Sequence, residues 1–144
     1  MNVGWGLVVL VSSAFAWGGQ ALSWLAPDLA VRLGLTEGPG DIDRTFLVDV
    51  RAEAVWDSFV LWTMPLAGVL LMTDHDWWPY LGLIGGGAQL YYAGRGIVVR
   101  ASMQREHVSI GDPNSVRAAI AALAVWAVVA IVTIVAAILS LEGT

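Results

Sequence analysis

Three carboxylates and one arginine lie in segments of the chain that are otherwise apolar. Asp49, Glu53 and Asp57 are four residues apart, so a helix would place them along one face over two turns. Like charges at this spacing repel each other. Inside a membrane they are tolerated only opposite water, a cation or an arginine, or when one of them is protonated. Arg95, in a later apolar segment, is the predicted partner.

Helix geometry places these groups at similar depths. Counted from the arginine-rich ends of their helices, Asp57 lies roughly 10 Å and Arg95 roughly 7 Å inward. We therefore expect a polar layer that either binds a ligand or handles protons, or else only locks two helices together. The predicted ligand-binding residues are Gln20, Glu53, Trp56, Asp57, Tyr91, Tyr92 and Arg95. Trp17 and Trp62 are expected to line the same pocket.

Glycines are concentrated in the segment that carries Arg95. Gly94 and Gly96 flank the arginine, and residues without a side chain let a neighbouring helix approach closely. A second group occupies the other half of the segment: Gly82, Gly85, Gly86 and Gly87. This small-residue face serves either packing within the molecule or dimerisation.

Several kinds of chemistry are excluded by composition. The chain has no cysteine, which removes disulfides, thiol nucleophiles and cysteine-ligated metals. It has no lysine for a Schiff base, and its net charge of −5 argues against nucleic-acid binding. His75 lies between Asp74 and Asp76, a triad more typical of a solvated turn than of a metal site. We therefore predict no catalytic residue, no metal and no cofactor.

The elements that position these residues are predicted to be membrane helices. Of the 144 residues, 58% are hydrophobic and 13% charged, and the mean hydropathy is +0.71. Four apolar stretches reach the roughly 20 residues that cross a bilayer, at about 3–25, 46–72, 77–99 and 116–141. The sequence predicts one domain, residues 1–144, with an all-α fold: an integral membrane four-helix bundle.

The connections carry their own signals. Residues 73–76 are too few for anything but an antiparallel hairpin between the second and third helices, and Asp76 is the predicted N-cap of the third. Asp112 is a similar cap signal for the fourth helix. Pro65 predicts a kink in the second helix. Residues 27–33 form either a short interfacial helix or an ordered loop.

The arginines predict orientation. All seven lie in or beside the two long connections: Arg32, Arg44, Arg51, Arg95, Arg100, Arg105 and Arg117. By the positive-inside rule both connections are cytoplasmic and both termini lie outside, in a multi-pass protein of the cell (inner) membrane. The alternative, a signal peptide cleaved near Ala14-Phe15-Ala16, lacks a positively charged start.

Short motifs of small and charged residues follow one another in a definite order. They are Ala26-Pro27, Leu33-Gly34-Leu35, Asp49-Val50-Arg51-Ala52, Gly86-Gly87-Ala88, Ala93-Gly94-Arg95 and Gly111-Asp112-Pro113. This order resembles the uncharacterised DoxX-like four-helix membrane proteins. The resemblance implies a four-helix bundle with polar residues near one membrane face, and no established activity for most members. DoxX itself is associated with thiosulfate:quinone oxidoreductase, but this chain supplies no redox centre.

Glu53 and Asp57, with Trp56 between them, are also similar to the sterol isomerase and sigma-2 receptor group. Proteins of that group place carboxylates and tryptophans in a membrane pocket. The polar layer here has no histidine, so the likeness does not extend to isomerase chemistry.

Three classes of function follow from the sequence. The favoured class is a non-enzymatic protein that binds a membrane lipid, a quinone or another small amphiphile. The second is a membrane isomerase-like enzyme that uses Glu53 or Asp57 as a buried proton carrier. The third is a non-catalytic subunit of a larger membrane complex, or a homodimer, whose glycine and alanine faces contact a partner.

Overall fold

The computed structural model describes residues 2–143, and these residues form six α-helices. They are α1 (Asn2–Leu25), α2 (Pro27–Arg32), α3 (Arg44–Val60), α4 (Thr63–Met72), α5 (Trp78–Arg105) and α6 (Pro113–Glu142). Across this range there is no β-strand, and the one isolated antiparallel bridge joins Ile42 to Ile110. The prediction of an all-α fold is confirmed. Helix α5 continues to Arg105, past the predicted end at residue 99.

Three helical segments are long and apolar enough to cross a membrane, which indicates a membrane protein. They are Val3–Leu25, Arg44–Met72 and Pro113–Glu142. Helix α5, the predicted third span, does not belong to this set. Its 28 residues include six glycines, three tyrosines and three arginines, so its mean hydropathy is lower than that of α1, α4 and α6.

The second predicted helix is broken into α3 and α4. Residues Leu61 and Trp62 separate the two, just before the buried Pro65. Proline has no N–H to donate to the carbonyl four residues earlier, so the Leu61 carbonyl accepts from the Met64 N–H instead, at 3.2 Å. The regular α-helical hydrogen bonding is therefore interrupted at Leu61 and Trp62, although the backbone of both residues stays right-handed helical.

Glycines let the helices pack backbone against backbone. A Cβ atom on Gly68 in α4 would lie 2.9 Å from the Gly6 carbonyl oxygen in α1. A Cβ atom on Gly85 in α5 would lie 2.7 Å from the Met64 backbone in α4. Gly86 faces the Ile134 side chain of α6. These glycines serve packing within the molecule, as small residues do between membrane helices.

Tryptophan side chains join α1 to α6. The Trp126 indole donates to the Ser12 carbonyl oxygen at 3.0 Å, and the Trp5 indole donates to the Thr133 hydroxyl at 3.2 Å. Thr133 in turn donates to the Val129 carbonyl oxygen. The polar groups that these helices bury against each other are therefore paired, as burial requires.

Of the two helix caps predicted from the sequence, the structure shows one. Asp112 caps α6, because its carboxylate accepts from the backbone N–H groups of Asn114 and Ser115 at 2.9 and 3.2 Å. The prediction that Asp76 caps the third helix was wrong. Trp77 occupies that position without a side-chain cap, and its N–H donates to His75 Nδ1 at 3.2 Å. Residues Pro27–Arg32 take the helical alternative.

The two long connections meet at one end of the molecule. The Asp43 N–H donates to the Ser109 carbonyl oxygen at 2.8 Å, beside the Ile42–Ile110 bridge. Phe46 and Val116 pack with these two isoleucines into a buried apolar cluster. The turn at Asp74, by contrast, lies at the other end, where it lines a recess of about 690 Å³ together with the last residues of α6.

Candidate functional site

Helix α4 packs backbone to backbone on α5 through Gly85, whereas the backbone of α3 follows that of α1. Side chains join α3 to α5 instead. Phe46 and Leu47 of α3 pack with Val99 and Met103 of α5 in the apolar cluster beside the Ile42–Ile110 bridge. Between this cluster and Gly85, polar side chains connect the two helices, and we call this stretch of the boundary the α3–α5 gap.

An ion network spans the α3–α5 gap. Arg95 Nη1 donates to Glu53 Oε1 at 2.7 Å, and Arg95 Nη2 donates to Asp49 Oδ1 at 2.5 Å. The side chains of Arg95 and Asp49 are 30% and 26% exposed, and that of Glu53 is 10% exposed. Two charge-assisted bonds from one guanidinium form a strong pairing. The network can still be reached from outside the bundle through its two more exposed members.

Asp57 lies one helical turn beyond Glu53 and takes no part in this pairing. It is 3% exposed, and its Oδ2 atom has no hydrogen-bond partner within residues 2–143. Glu53 and Arg95 both lie within electrostatic range of it. Burying a carboxylate among apolar helices without a partner is costly in its charged form.

A third helix brings two further polar groups to the same layer. Gln20 Nε2 of α1 donates to the Tyr92 hydroxyl oxygen of α5 at 3.0 Å. Tyr92 is buried beside Trp126, with ring centroids 5.9 Å apart, and it lies within electrostatic range of Glu53 and Asp57. The Gln20 Oε1 atom is buried, and no described residue donates to it. We call Gln20, Asp49, Glu53, Asp57, Tyr92 and Arg95 the polar layer.

Two of the residues predicted for the site face away from the polar layer. Trp56 is 63% exposed and Tyr91 is 65% exposed. Neighbouring positions on a helix point about 100° apart. Burying Asp57 and Tyr92 therefore turns the residues before them outward. Trp17 and Trp62 are also partly exposed, and their indoles donate to backbone carbonyls of α3.

The glycines beside Arg95 do not shield it in the expected way. A Cβ atom on Gly94 would meet nothing within 4 Å, and one on Gly96 would meet the Leu123 side chain of α6. The helix that approaches here is α6, on the side of α5 away from the carboxylates. Arg95 is covered instead by its two carboxylate partners.

The structure adds two residues to the site residues predicted from the sequence. Asp49 makes the shortest bond to Arg95, and its four-residue spacing from Glu53 was the available signal. Gln89 is fully buried, donates to the Trp126 carbonyl oxygen at 3.3 Å, and leaves its Oε1 atom without a partner among the described residues. The sequence feature that could have identified Gln89 is its position as a single amide side chain, one turn before Tyr92, in an apolar helix.

The carboxylates are spread along α3 rather than gathered around one point. No group of three or more acidic or histidine side chains in the described part of the chain could hold a metal ion. The formal charges of the polar layer are three negative and one positive, from Asp49, Glu53, Asp57 and Arg95. The arrangement thus offers hydrogen-bond acceptors and negative charge within an apolar bundle.

Comparisons of the chain with protein-family models, curated proteins and solved structures found no match. The resemblances to the DoxX-like proteins and to the sterol isomerase and sigma-2 receptor group stay predictions. The function is argued below from the polar layer itself.

Proposed function

We propose that the chain spans the cell membrane four times, with both termini outside. Helix α5, the third span in chain order, crosses in addition to the three segments named above. Helix α5 has 28 residues and is about 42 Å long at 1.5 Å per residue, enough to cross the hydrocarbon core. Its low hydropathy is compatible with spanning, since α4 and α6 cover its glycine-lined faces. The two arginine-bearing connections pack together at one end of the molecule, which fits a common cytoplasmic side.

Single cysteines test this orientation, because the natural chain has no cysteine to interfere. Asp76 and Glu106 are exposed in the turns before and after α5. In intact cells a membrane-impermeant maleimide should label Asp76→Cys, and should label Glu106→Cys only after permeabilisation. Labelling of both in intact cells would show that α5 does not cross, and the reverse pattern would overturn the orientation.

We propose further that the protein binds a small membrane amphiphile, whose polar end reaches the polar layer through the α3–α5 gap. The observation that carries this proposal is Asp57, a buried carboxylate with an unpartnered oxygen atom, one helical turn from the ion network that joins α3 to α5. Trp56 and Tyr91, exposed on the outside of α3 and α5, offer apolar surface to the rest of such a molecule.

A purely structural role explains less of the geometry. Joining α3 to α5 needs only Arg95 and one carboxylate, and the ion network already contains two. Burying Asp57 as well makes the empty bundle less stable without adding a bond between helices. A ligand that pairs with Asp57 accounts for a group that a helix lock leaves unexplained.

Native mass spectrometry of the detergent-purified protein tests the proposal. Wild type should retain a small apolar molecule, and Asp57→Asn, which keeps the shape of the side chain, should lose it. Arg100→Ala is the control, because Arg100 bonds only the Gly96 carbonyl oxygen and lies over the Phe46 ring. A wild type without any retained molecule, or equal retention by Asp57→Asn, would contradict the proposal.

The enzyme hypothesis also has one observation in its favour. It requires a carboxylate that Arg95 does not neutralise, and Asp57 makes no bond to Arg95. An isomerase-like enzyme would return the retained molecule as a rearranged product of unchanged mass. Chromatography of the molecule before and after incubation with wild type distinguishes the two functions, since a binding protein leaves it unaltered.

The subunit hypothesis is weakened by the packing. It placed the glycine faces against lipid or a partner, but Gly82, Gly85 and Gly86 contact α4 and α6 of the same chain. A homodimer or a partner protein would have to use other surfaces.

A further inference from the structure

We infer that the polar end of the bound amphiphile is a protonated amine whose N–H groups bond to Asp57. This inference rests on the proposed function and specifies the chemical class of the ligand. The alternative is an anionic head group bound by Arg95.

The structure leaves Arg95 unsuited to an anion. Its guanidinium already binds two carboxylates, at 2.7 and 2.5 Å. An anionic head group would have to displace one of them, and would then lie beside that carboxylate and Asp57. Two like charges brought together in a medium of low dielectric constant repel strongly. The positive charge of Arg95 is therefore already used within the molecule.

The unpartnered atoms of the polar layer are all hydrogen-bond acceptors. They are Asp57 Oδ2, Asp49 Oδ2 and Gln20 Oε1, each enclosed and without a donor among residues 2–143. Acceptors require a donor, and an ammonium group at Asp57 supplies N–H donors together with a positive charge. Asp49 lies two helical turns, about 12 Å, further along α3 and is not reached by the same group. Three carboxylates face the Arg95 guanidinium, and Arg100 acts on Glu53 from further along α5. A single ammonium brings the formal charge of these groups closer to zero.

Two competing cationic or donor groups fit less well. A trimethylammonium group has the charge but no N–H, so it would leave the oxygen atoms unpaired. A neutral hydroxyl can donate one bond but leaves the charge of Asp57 uncompensated. Because Asp57 is 3% exposed, the small head of a primary amine is also the easiest to accommodate.

Three probes with the same twelve-carbon chain separate these possibilities: dodecylamine, dodecyltrimethylammonium and 1-dodecanol. The protein is held in phosphatidylcholine nanodiscs at pH 7, and binding is followed by the fluorescence of its tryptophans, one of which, Trp56, adjoins Asp57. Dodecylamine should bind at least tenfold more tightly than either of the others, a difference of about 1.4 kcal/mol.

Replacing part of the phosphatidylcholine with phosphatidylethanolamine should weaken dodecylamine binding if the natural amine is a lipid head group, and should leave it unchanged if the natural amine is a free molecule.

Variants assign the preference to one side chain. Asp57→Asn should reduce dodecylamine affinity at least tenfold and change dodecanol affinity less than about twofold, since only the charge is removed. Asp57→Glu should retain the preference for the amine, which guards against a folding defect as the cause. Asp76→Asn makes the same chemical change in the exposed turn and should bind as wild type does.

The outcomes separate the inference from the proposed function. Equal binding of amine and alcohol, or an amine preference that survives in Asp57→Asn, would overturn the inference while leaving an amphiphile-binding protein. Failure of all three probes to bind would overturn both.

Discussion

Removing the Arg95 guanidinium should destabilise the bundle by breaking the ion network that joins α3 to α5. The change Arg95→Met keeps a long side chain of helix-favouring type, so the helix itself is little affected. It leaves Glu53 and Asp49 without their shared partner. The stability lost therefore measures the ion network rather than helix propensity.

The magnitude follows from burial. Breaking a fully buried ion pair by removing one partner costs about 3–5 kcal/mol. Here only Glu53 is nearly enclosed, at 10% exposure, whereas Arg95 and Asp49 keep 30% and 26%. Water reaching the more exposed groups reduces the loss to about 2–3 kcal/mol. Glu53→Gln removes the uncompensated charge, so the double variant Arg95→Met/Glu53→Gln should be more stable than the sum of the single changes predicts, by about 1 kcal/mol.

The assay is unfolding by sodium dodecyl sulfate, titrated from a mild detergent and followed by circular dichroism. Arg100→Met is the matched control, since it removes an arginine one turn and a half along α5 that bonds no carboxylate. It should cost less than about 1 kcal/mol, the range of a partly exposed cation–π contact. If Arg95→Met lies within about 0.5 kcal/mol of wild type, or if the two single changes add fully, the reasoning about the network is refuted.

Three further predictions concern packing, capping and pH. Gly68→Ala should lower stability in the same titration by about 1–3 kcal/mol, because its Cβ would lie 2.7 Å from the α1 backbone, whereas Gly87→Ala, with open space around it, should be neutral or stabilising. Asp112→Ala should cost about 1 kcal/mol in that assay, because two N–H groups at the start of α6 lose their acceptor; a loss as small as that of an exposed loop substitution would contradict the cap. Hydrogen bonds from the Thr45 backbone and hydroxyl hold the pKa of Asp43 below its ordinary value of 3.8, so its contribution to stability is present above that pH and is lost as the pH falls through the lower folded value. The stability difference between wild type and Asp43→Asn, measured against pH, should therefore shrink only below about pH 4 and should not change between pH 5 and 7.

The arrangement of the site depends on the interruption of the helix before Pro65, which lies eight residues after Asp57. Pro65 removes one hydrogen bond and interrupts the helix at Leu61, so α4 stays on α5 while α3 follows α1. Gly85 holds α4 against α5 on one side of the interruption, and Arg95 bridges the gap on the other. The same break that separates the two backbones thus sets the distance that the ion network spans.

The sequence alone determined the helical class and the presence of membrane-spanning segments, because apolar run length is a local property that needs no knowledge of packing. The spacing of Asp49, Glu53 and Asp57 likewise showed that they share a face of one helix, and Asp112 showed where a helix begins. Each of these inferences depends on neighbours along the chain. The interruption at Pro65 also belongs here, since proline acts on its own helix.

Only the tertiary structure decided which polar groups pair. Arg95 bonds Asp49 and Glu53 rather than Asp57, because the separation of α3 from α5 sets which carboxylates lie within reach. The outward turn of Trp56 and the approach of Gly96 to α6 rather than α3 depend on how each helix rotates about its own axis. That rotation is fixed by contacts between segments far apart in sequence, such as Gly85 with Met64, and no pattern within a single helix records them.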